Sequence, residues 1–382
     1  MIVSHIILKN WRNFLAVDVS LSERVFIVGP NACGKSNFLD VFRFLRDIAK
    51  PGGGLQKAVS DRGSVSKIRC LSARRYPDIE IEVHLSESSS QEPAWKYAIG
   101  IKHKKGGSNP PILAYERVWH GSKQILDRPD KNDEDDQLRK TQTHLEQISA
   151  NSEFRAVAQF FESVFYLHLI PQLLRSPDTL SGLNLSEDPF GRNFLERVTK
   201  TPEKTRKSRL TKIEKALRLA VPQLKQLTDT KDEMGVPHLE ALYEHWRPHA
   251  GKQREDQFSD GTLRLIGLFW SLLEADSLLL LEEPELSLNS GIVKKLPTLM
   301  YRVQRQKKRQ IIVSTHSADI LEDPGIGGEE ILVFTPQSQG TQVEQASSID
   351  NVRYLLEGGL SPAEAILPLT KPSEVNNLER QL

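Results

Sequence analysis

Cysteine is nearly absent from this chain. Cys33 and Cys70 are the only two in 382 residues, too few for a disulfide framework, so no scaffold stapled by bridges is expected. Long apolar runs are missing as well: Arg264, Glu274 and Asp276 interrupt the best stretch, and a membrane helix needs roughly 18 to 20 predominantly apolar residues. The first residues alternate like a strand and lack the basic segment and apolar core of a secretory signal. A cytoplasmic protein with no membrane segment is expected. Neither charge sign is in excess, since 51 Lys and Arg face 50 Asp and Glu for a net charge of +1. Net charge therefore argues neither for nor against a nucleic-acid partner. No internal repeat, low-complexity tract or sustained heptad pattern is found, which excludes a solenoid and a long coiled coil. The length suggests two or three lobes at about 150 residues each.

What is present centres on VFIVGPNACGKSNFL, residues 25–39. A β-branched run enters a loop bounded by Gly29 and Gly34, and Lys35 and Ser36 open an apolar-striped segment. The spacing is that of a Walker A phosphate loop, G-x-x-x-x-G-K-[ST]. Glycines let backbone N–H groups curl around phosphate oxygens, and the helix that follows points its positive end at them. Lys35 adds a point charge and Ser36 a hydroxyl for Mg²⁺, with Asn31 and Asn37 as further candidate nucleotide contacts. Val25 to Val28 predict a buried strand. Phe38, Val41, Phe42, Leu45 and Ile48 recur at helical spacing until Pro51 stops them. Cys33 reads as a small filler that contributes only its backbone.

Strands are predicted over residues 2–8 and 17–21. Apolar alternation returns at Ile79, Ile81, Val83 and Leu85 and again near residues 97–101, 112–119 and 123–126, the pattern of an antiparallel lobe with one wet face. Residues 127–136 are acidic and turn-rich and predict a solvated loop or the foot of an insertion. Residues 164–170 predict a strand ending at Pro171-Gln172, residues 177–192 a loop, and residues 210–219 a helix in a helical insert. From residue 262 onward helix and buried strand alternate, as in a parallel sheet with crossover helices. One helix is expected over 292–306. The expected fold class is α/β, with a parallel P-loop sheet, an antiparallel β lobe and a helical insert. The expected division is residues 1–172, 173–255 and 256–382.

Leu278 to Glu285, LLLLEEPE, forms the second strong motif: an apolar strand delivering two adjacent carboxylates into a Pro turn. This is a Walker B arrangement, with Glu282 for the metal and Glu283 to polarise the attacking water. Glu282 stands where Asp is usual, and whether it reaches Mg²⁺ directly or through water stays open. With these motifs and those that follow, the chain resembles the soluble ATPase heads of the ABC superfamily, in the RecF, SMC and OLD-like branch. Phe258-Ser259-Asp260-Gly261-Thr262-Leu263-Arg264 falls where that superfamily places its signature, with SDG in place of SGG. Ser287-Leu288-Asn289 falls at the D-loop and Ser314-Thr315-His316-Ser317 at the switch histidine. Leu8-Lys9-Asn10-Trp11-Arg12-Asn13-Phe14 is similar to the start of RecF-like heads.

The resemblance implies a homodimer closed by ATP and Mg²⁺, each site pairing the phosphate loop of one copy with Ser259, Asp260 and Gly261 of the other. It implies catalytic roles for Glu283 and His316 and places Arg12 near the nucleotide. Gln172 is either the glutamine that senses the metal or an incidental strand-end residue. Basic runs at Lys200–Arg218 and Arg302–Arg309 are either solvated helix faces or a phosphate-backbone track for DNA. OLD-like enzymes append a Toprim nuclease domain. The residues after His316 fall short of one, so if nuclease or toxin chemistry is involved, a separate polypeptide is expected to supply it. The expected function is ATP hydrolysis acting on DNA or on such an effector, in phage defence or DNA repair. A transporter's nucleotide-binding subunit and a small-molecule P-loop kinase or GTPase stand as alternatives.

Overall fold

The computed structural model describes residues 1–73, 77–102, 110–175, 190–245, 251–274 and 277–371. They fall into two compact units, one made of Met1–Phe165, Ser277–Leu280 and Lys307–Leu382, the other of Tyr166–Asp276 and Leu281–Gln306.

The first unit opens with β1 (Ile2–Trp11), β2 (Phe14–Ser20) and β3 (Arg24–Val28), followed after a helical stretch by β4 (Ile79–Ser86), β5 (Trp95–Lys102), β6 (Ile112–His120) and β7 (Lys123–Arg128). An antiparallel sheet runs in the order β2-β1-β4-β5-β6-β7. In β4 the apolar residues Ile79, Ile81, Val83 and Leu85 are fully buried while Glu80, Glu82 and His84 are half-exposed, the alternation that a one-faced sheet requires. The acidic stretch after β7 differs from expectation. Arg128 is buried and donates to Asp133 at 2.7 and 3.0 Å and to Glu116 at 3.0 Å. Asp133 closes a capping box with Asp130. A run that reads as solvated charge thus hides one side of a buried ion cluster, because Arg128 inside the run pairs with Asp133 and also with Glu116, which comes from β6.

A second sheet carries the phosphate loop. Its order is β15-β14-β3-β13-β12-β8, with β8 (Phe165–Leu167), β12 (Leu279–Glu282), β13 (Ile311–Ser314), β14 (Ile331–Gln337) and β15 (Gly340–Gln345). β3 pairs in parallel with both β13 and β14 and is buried along its length. The Lys35–Ala49 helix buries Phe38, Leu39, Val41, Phe42, Leu45 and Ile48. Phe38 meets Phe334 of β14 edge-on at 5.6 Å and Phe14 of β2 at 6.3 Å. Contacts of this kind add about 1 kcal/mol each to what area burial supplies, and they fix the helix that follows the loop.

The second unit contains the helices Pro171–Arg175, Phe194–Lys200, Glu203–Ala220 and Asp260–Glu274 and a sheet ordered β11-β10-β9, from β9 (Leu224–Lys231), β10 (Pro237–Tyr243) and β11 (Lys252–Arg254). The segment expected to be helical is therefore mixed. Its strands are polar, with little beyond Leu224, Leu227, Leu239 and Ala241 buried, so the period-2 signal is faint. β8 is shorter than predicted, because Pro171 opens a helix at a position where its missing N–H costs nothing; Gln172 sits in that helix. The single helix expected over 292–306 is two, Ser290–Val293 and Leu296–Lys307, with Pro297 in the first turn of the second. Most of the loop expected at 177–192 lies outside the described residues. Among the described residues no helix is long and apolar enough to cross a membrane.

Candidate functional site

β3 ends at Val28 and hands the chain to Gly29, where an added Cβ would stand 2.7 Å from both the Phe334 carbonyl oxygen and Cys33 Sγ. Gly34 has φ +98°, and a Cβ there would fall 2.1 Å from Asn13 Nδ2. Only glycine fits these two turns. The loop is braced from outside by residues far away in the chain. Asn13 Nδ2 and Thr341 Oγ1 donate to the Cys33 carbonyl at 2.7 and 2.8 Å, and Asn37 Nδ2 donates to Asn13 Oδ1 at 2.8 Å. Lys35 is 7% exposed and its ammonium donates to the Gly29 and Pro30 carbonyls at 3.0 Å each. Cys33 contributes its carbonyl to this bracing; burial pushes its thiol pKa up, against the pull of Lys35.

The Lys35–Ala49 helix starts with no side-chain cap and no acidic residue in its first turn. No acidic side chain of the first turn offsets its positive end, a condition that favours an anion there. Ser36 and Asn31 are exposed on the loop. The residue after Ser36, Asn37, lines a pocket of about 510 Å³ together with Arg12, Asn13, Lys67, Arg69 and Gly340, among others. Arg12 has φ +53° and its guanidinium donates to Asp40 at 3.1 Å. Burial raises the Asp40 pKa, but hydrogen bonds from Arg62 and the charges of Arg62, Arg43 and Arg12 outweigh it and hold the carboxyl below its ordinary value. His316 is exposed just past β13, where the Thr315 N–H donates to the Ile27 carbonyl at 3.1 Å. It thus leaves the sheet at the same end as the phosphate loop.

Phosphate loop, Arg12 and His316 belong to the first unit, and the remaining candidates belong to the second. At the end of β12 the Tyr166 hydroxyl donates to the Glu282 carboxylate, and His168 Nδ1 lies 3.3 Å from the Glu282 carbonyl oxygen. Glu283 has φ +45°, a left-handed conformation that costs a non-glycine residue about 1–2 kcal/mol. Ser259 accepts from the Thr262 N–H at 3.1 Å and so caps the Asp260–Glu274 helix. Asp260 accepts from Gln172 Nε2 at 3.0 Å and pairs with Arg175 at 2.5 Å, which gives the SDG aspartate a task that a glycine cannot perform. A Cβ on Gly261 would come within 2.9 Å of the Ser287 carbonyl, so the signature and D-loop segments touch. Arg264 is buried one turn on; burial lowers its pKa against the attraction of Asp260, Glu285 and Glu283.

Sequence reasoning missed Thr341, Arg175 and Tyr166, and named Asn13 only within a longer stretch. Replacing Asn13 with Ala removes hydrogen bonds to Cys33 and Asn37. At about 1 kcal/mol each, nucleotide affinity is expected to fall by roughly tenfold or more, as read by fluorescent-nucleotide titration. An unchanged affinity would show that the brace does not shape the loop. In the first basic run four of the eight cations form ion pairs within the unit: Lys200 with Glu196, Arg206 with Asp229, Lys207 with Glu203 and Arg218 with Glu214. Lys204, Lys212 and Lys215 are exposed. Arg309 is buried and donates to the Ser277 carbonyl at 3.0 Å, a structural role.

Residues 24–322 match the family described as "AAA domain, putative AbiEii toxin, Type IV TA system". No curated protein matches the chain. Among solved structures, an SmcHead bound to the C-winged helix domain of ScpA superposes with a TM-score of 0.53 at 14% identity, covering 90% of this chain and 98% of that one. The Smc head domain with an extended coiled coil bound to the C-terminal domain of ScpA, derived from Pyrococcus furiosus, gives 0.52 at 14% identity over 93% and 98%. The family match spans well over half of the chain, which therefore belongs to this AAA family and has the fold of an SMC-type ABC ATPase head.

Proposed function

We propose that this chain is a Mg²⁺-dependent ATPase that closes as a homodimer on ATP and controls a separately encoded effector, a nuclease or toxin, or acts on DNA. The observation that carries this reading is the phosphate loop, with two glycines whose Cβ positions are blocked, a buried Lys35 and a helix start left without a cap. Lys35 and the loop N–H groups hold the phosphates, Gly29, Asn31, Gly34 and Asn37 shape their cradle, and the pocket beside Arg12 takes the rest of the nucleotide. Ser36, Glu282 and Gln172 offer a hydroxyl, a carboxylate and an amide oxygen, the hard donors that Mg²⁺ prefers. When bound, Mg²⁺ neutralises charge on the phosphate oxygens. Glu283 takes a proton from the attacking water, and His316 donates hydrogen bonds to the phosphate being cleaved. The family description names a toxin–antitoxin system, which supports effector control in phage defence over DNA repair. The purified chain should release phosphate from ATP only with Mg²⁺; no turnover with any nucleoside triphosphate would overturn the reading.

Ser259, Asp260 and Gly261 act in this proposal on the nucleotide held by the opposite copy. Ser259→Arg should leave ATP binding by the monomer within about twofold and abolish ATP-dependent dimers and hydrolysis. The lost helix cap costs about 1 kcal/mol, small against the stability of a domain. Light scattering with and without Mg·ATP checks this, and dimers of the variant forming as in wild type would contradict it.

A further inference from the structure

The metal carboxylate of a Walker B strand is usually an aspartate, and here it is Glu282. One more methylene lengthens the side chain and gives it another rotatable bond, so something has to fix where the carboxylate points. On the neighbouring strand β8, Tyr166 is 8% exposed and its hydroxyl donates to Glu282 Oε2. A hydrogen bond to a carboxylate is shorter and stronger than one between neutral groups. A cavity of about 10 Å³ against Glu282 is lined mainly by Leu167, Leu169, Leu268, Leu281 and Pro284, with Arg264, room for a single water at most. The backbone is held on the same side, where His168 Nδ1 lies 3.3 Å from the Glu282 carbonyl oxygen.

We propose that Tyr166 is a positioning residue for Glu282, its hydroxyl fixing the longer carboxylate in the orientation that serves Mg²⁺. Tyrosine and glutamate act as a matched pair in place of a lone aspartate. This rests on Glu282 being the metal carboxylate, as proposed above. Tyr166 touches neither nucleotide nor metal in this assignment; it acts through Glu282. Partners that orient a metal ligand typically change metal affinity by about 10–100-fold when removed.

The test uses the full chain with a fluorescent ATP analogue at fixed concentration and Mg²⁺ as the titrant. Tyr166→Phe keeps the ring and removes the donor. It should raise the Mg²⁺ midpoint by about tenfold, leave analogue affinity in EDTA within about twofold, and leave the melting temperature of the metal-free protein close to wild type. Glu282→Asp breaks the same bond from the other side and should shift the midpoint similarly. The double variant should be no worse than Glu282→Asp alone, since the hydroxyl then has nothing to hold. Glu282→Gln separates the two levels of the assignment. A shifted midpoint for Glu282→Gln with a wild-type midpoint for Tyr166→Phe overturns the pairing and keeps the metal role. An unshifted Glu282→Gln overturns both, and multiplicative effects in the double variant overturn the pairing.

Discussion

Lys35→Ala is expected to abolish measurable ATP binding, with affinity at least a hundredfold below wild type. Lys35 is 7% exposed, and its ammonium already lies inside the loop on the Gly29 and Pro30 carbonyls at 3.0 Å. A triphosphate brought to that loop shares the ammonium as a charge-assisted donor, an interaction worth roughly twice a neutral hydrogen bond. The truncation removes the cation and also leaves two carbonyls turned inward without their donor, so the cradle presents acceptors to an anion. A hundredfold loss corresponds to about 2.7 kcal/mol, within reach of losing one such contact. Titration with a fluorescent ATP analogue gives the affinity, and a thermal melt in its absence reports whether the fold survives. Wild-type affinity in a folded variant would remove the phosphate-loop assignment and the proposed activity with it.

The second large effect is expected at Glu283. Glu283→Gln keeps the shape of the side chain and removes its capacity to take a proton from water, and general-base catalysis is worth about 10²–10⁴ in rate. Turnover should fall by that factor while Mg·ATP binding stays within about threefold of wild type. ATP-bound dimers should accumulate, because the step that separates them is blocked. Glu283 also holds a left-handed backbone at φ +45°, which glutamine adopts no more easily than glutamate, so the substitution isolates the carboxylate from the turn. Single-turnover hydrolysis paired with light scattering reads both quantities. Should Glu282→Gln be the variant that binds Mg·ATP normally and fails to hydrolyse it, the two carboxylates exchange roles.

The phosphate loop is legible in the sequence because its parts are consecutive: a buried strand, two glycines at fixed spacing, Lys35 and Ser36, and a helix with an apolar stripe. Its supports are not. Asn13 turns the corner between β1 and β2, and Thr341 lies in β15, 328 residues further on; only the fold brings their side chains to the Cys33 carbonyl. Tyr166 and Arg175 were hidden for a different reason. Tyr166 sits in an apolar strand where a tyrosine reads as core, and Arg175 is one more cation in a charged chain until Asp260 is seen against it. The aspartate of SDG was visible as a departure from SGG, and its partners explain the departure. Arg128, Glu116 and Asp133 show the opposite error, since a buried charge cluster and a solvated loop have the same composition. The polar strands β9 and β10 escaped notice because strand pairing, with seven registered partners between them, needs little apolar alternation to form beside the Glu203–Ala220 helix.

In the proposed dimer each ATP is shared between two copies, with Lys35 from one and Ser259 from the other. Mixing Lys35→Ala with Ser259→Arg protein tests it most directly. Neither variant alone retains an intact site. In the mixed dimer one site combines the normal Lys35 of the Ser259→Arg copy with the normal Ser259 of the Lys35→Ala copy, and the other site carries both lesions. Phosphate release should therefore appear on mixing and peak near equal proportions. No release at any proportion, with heterodimers demonstrated by differently tagged copies, would contradict the shared site.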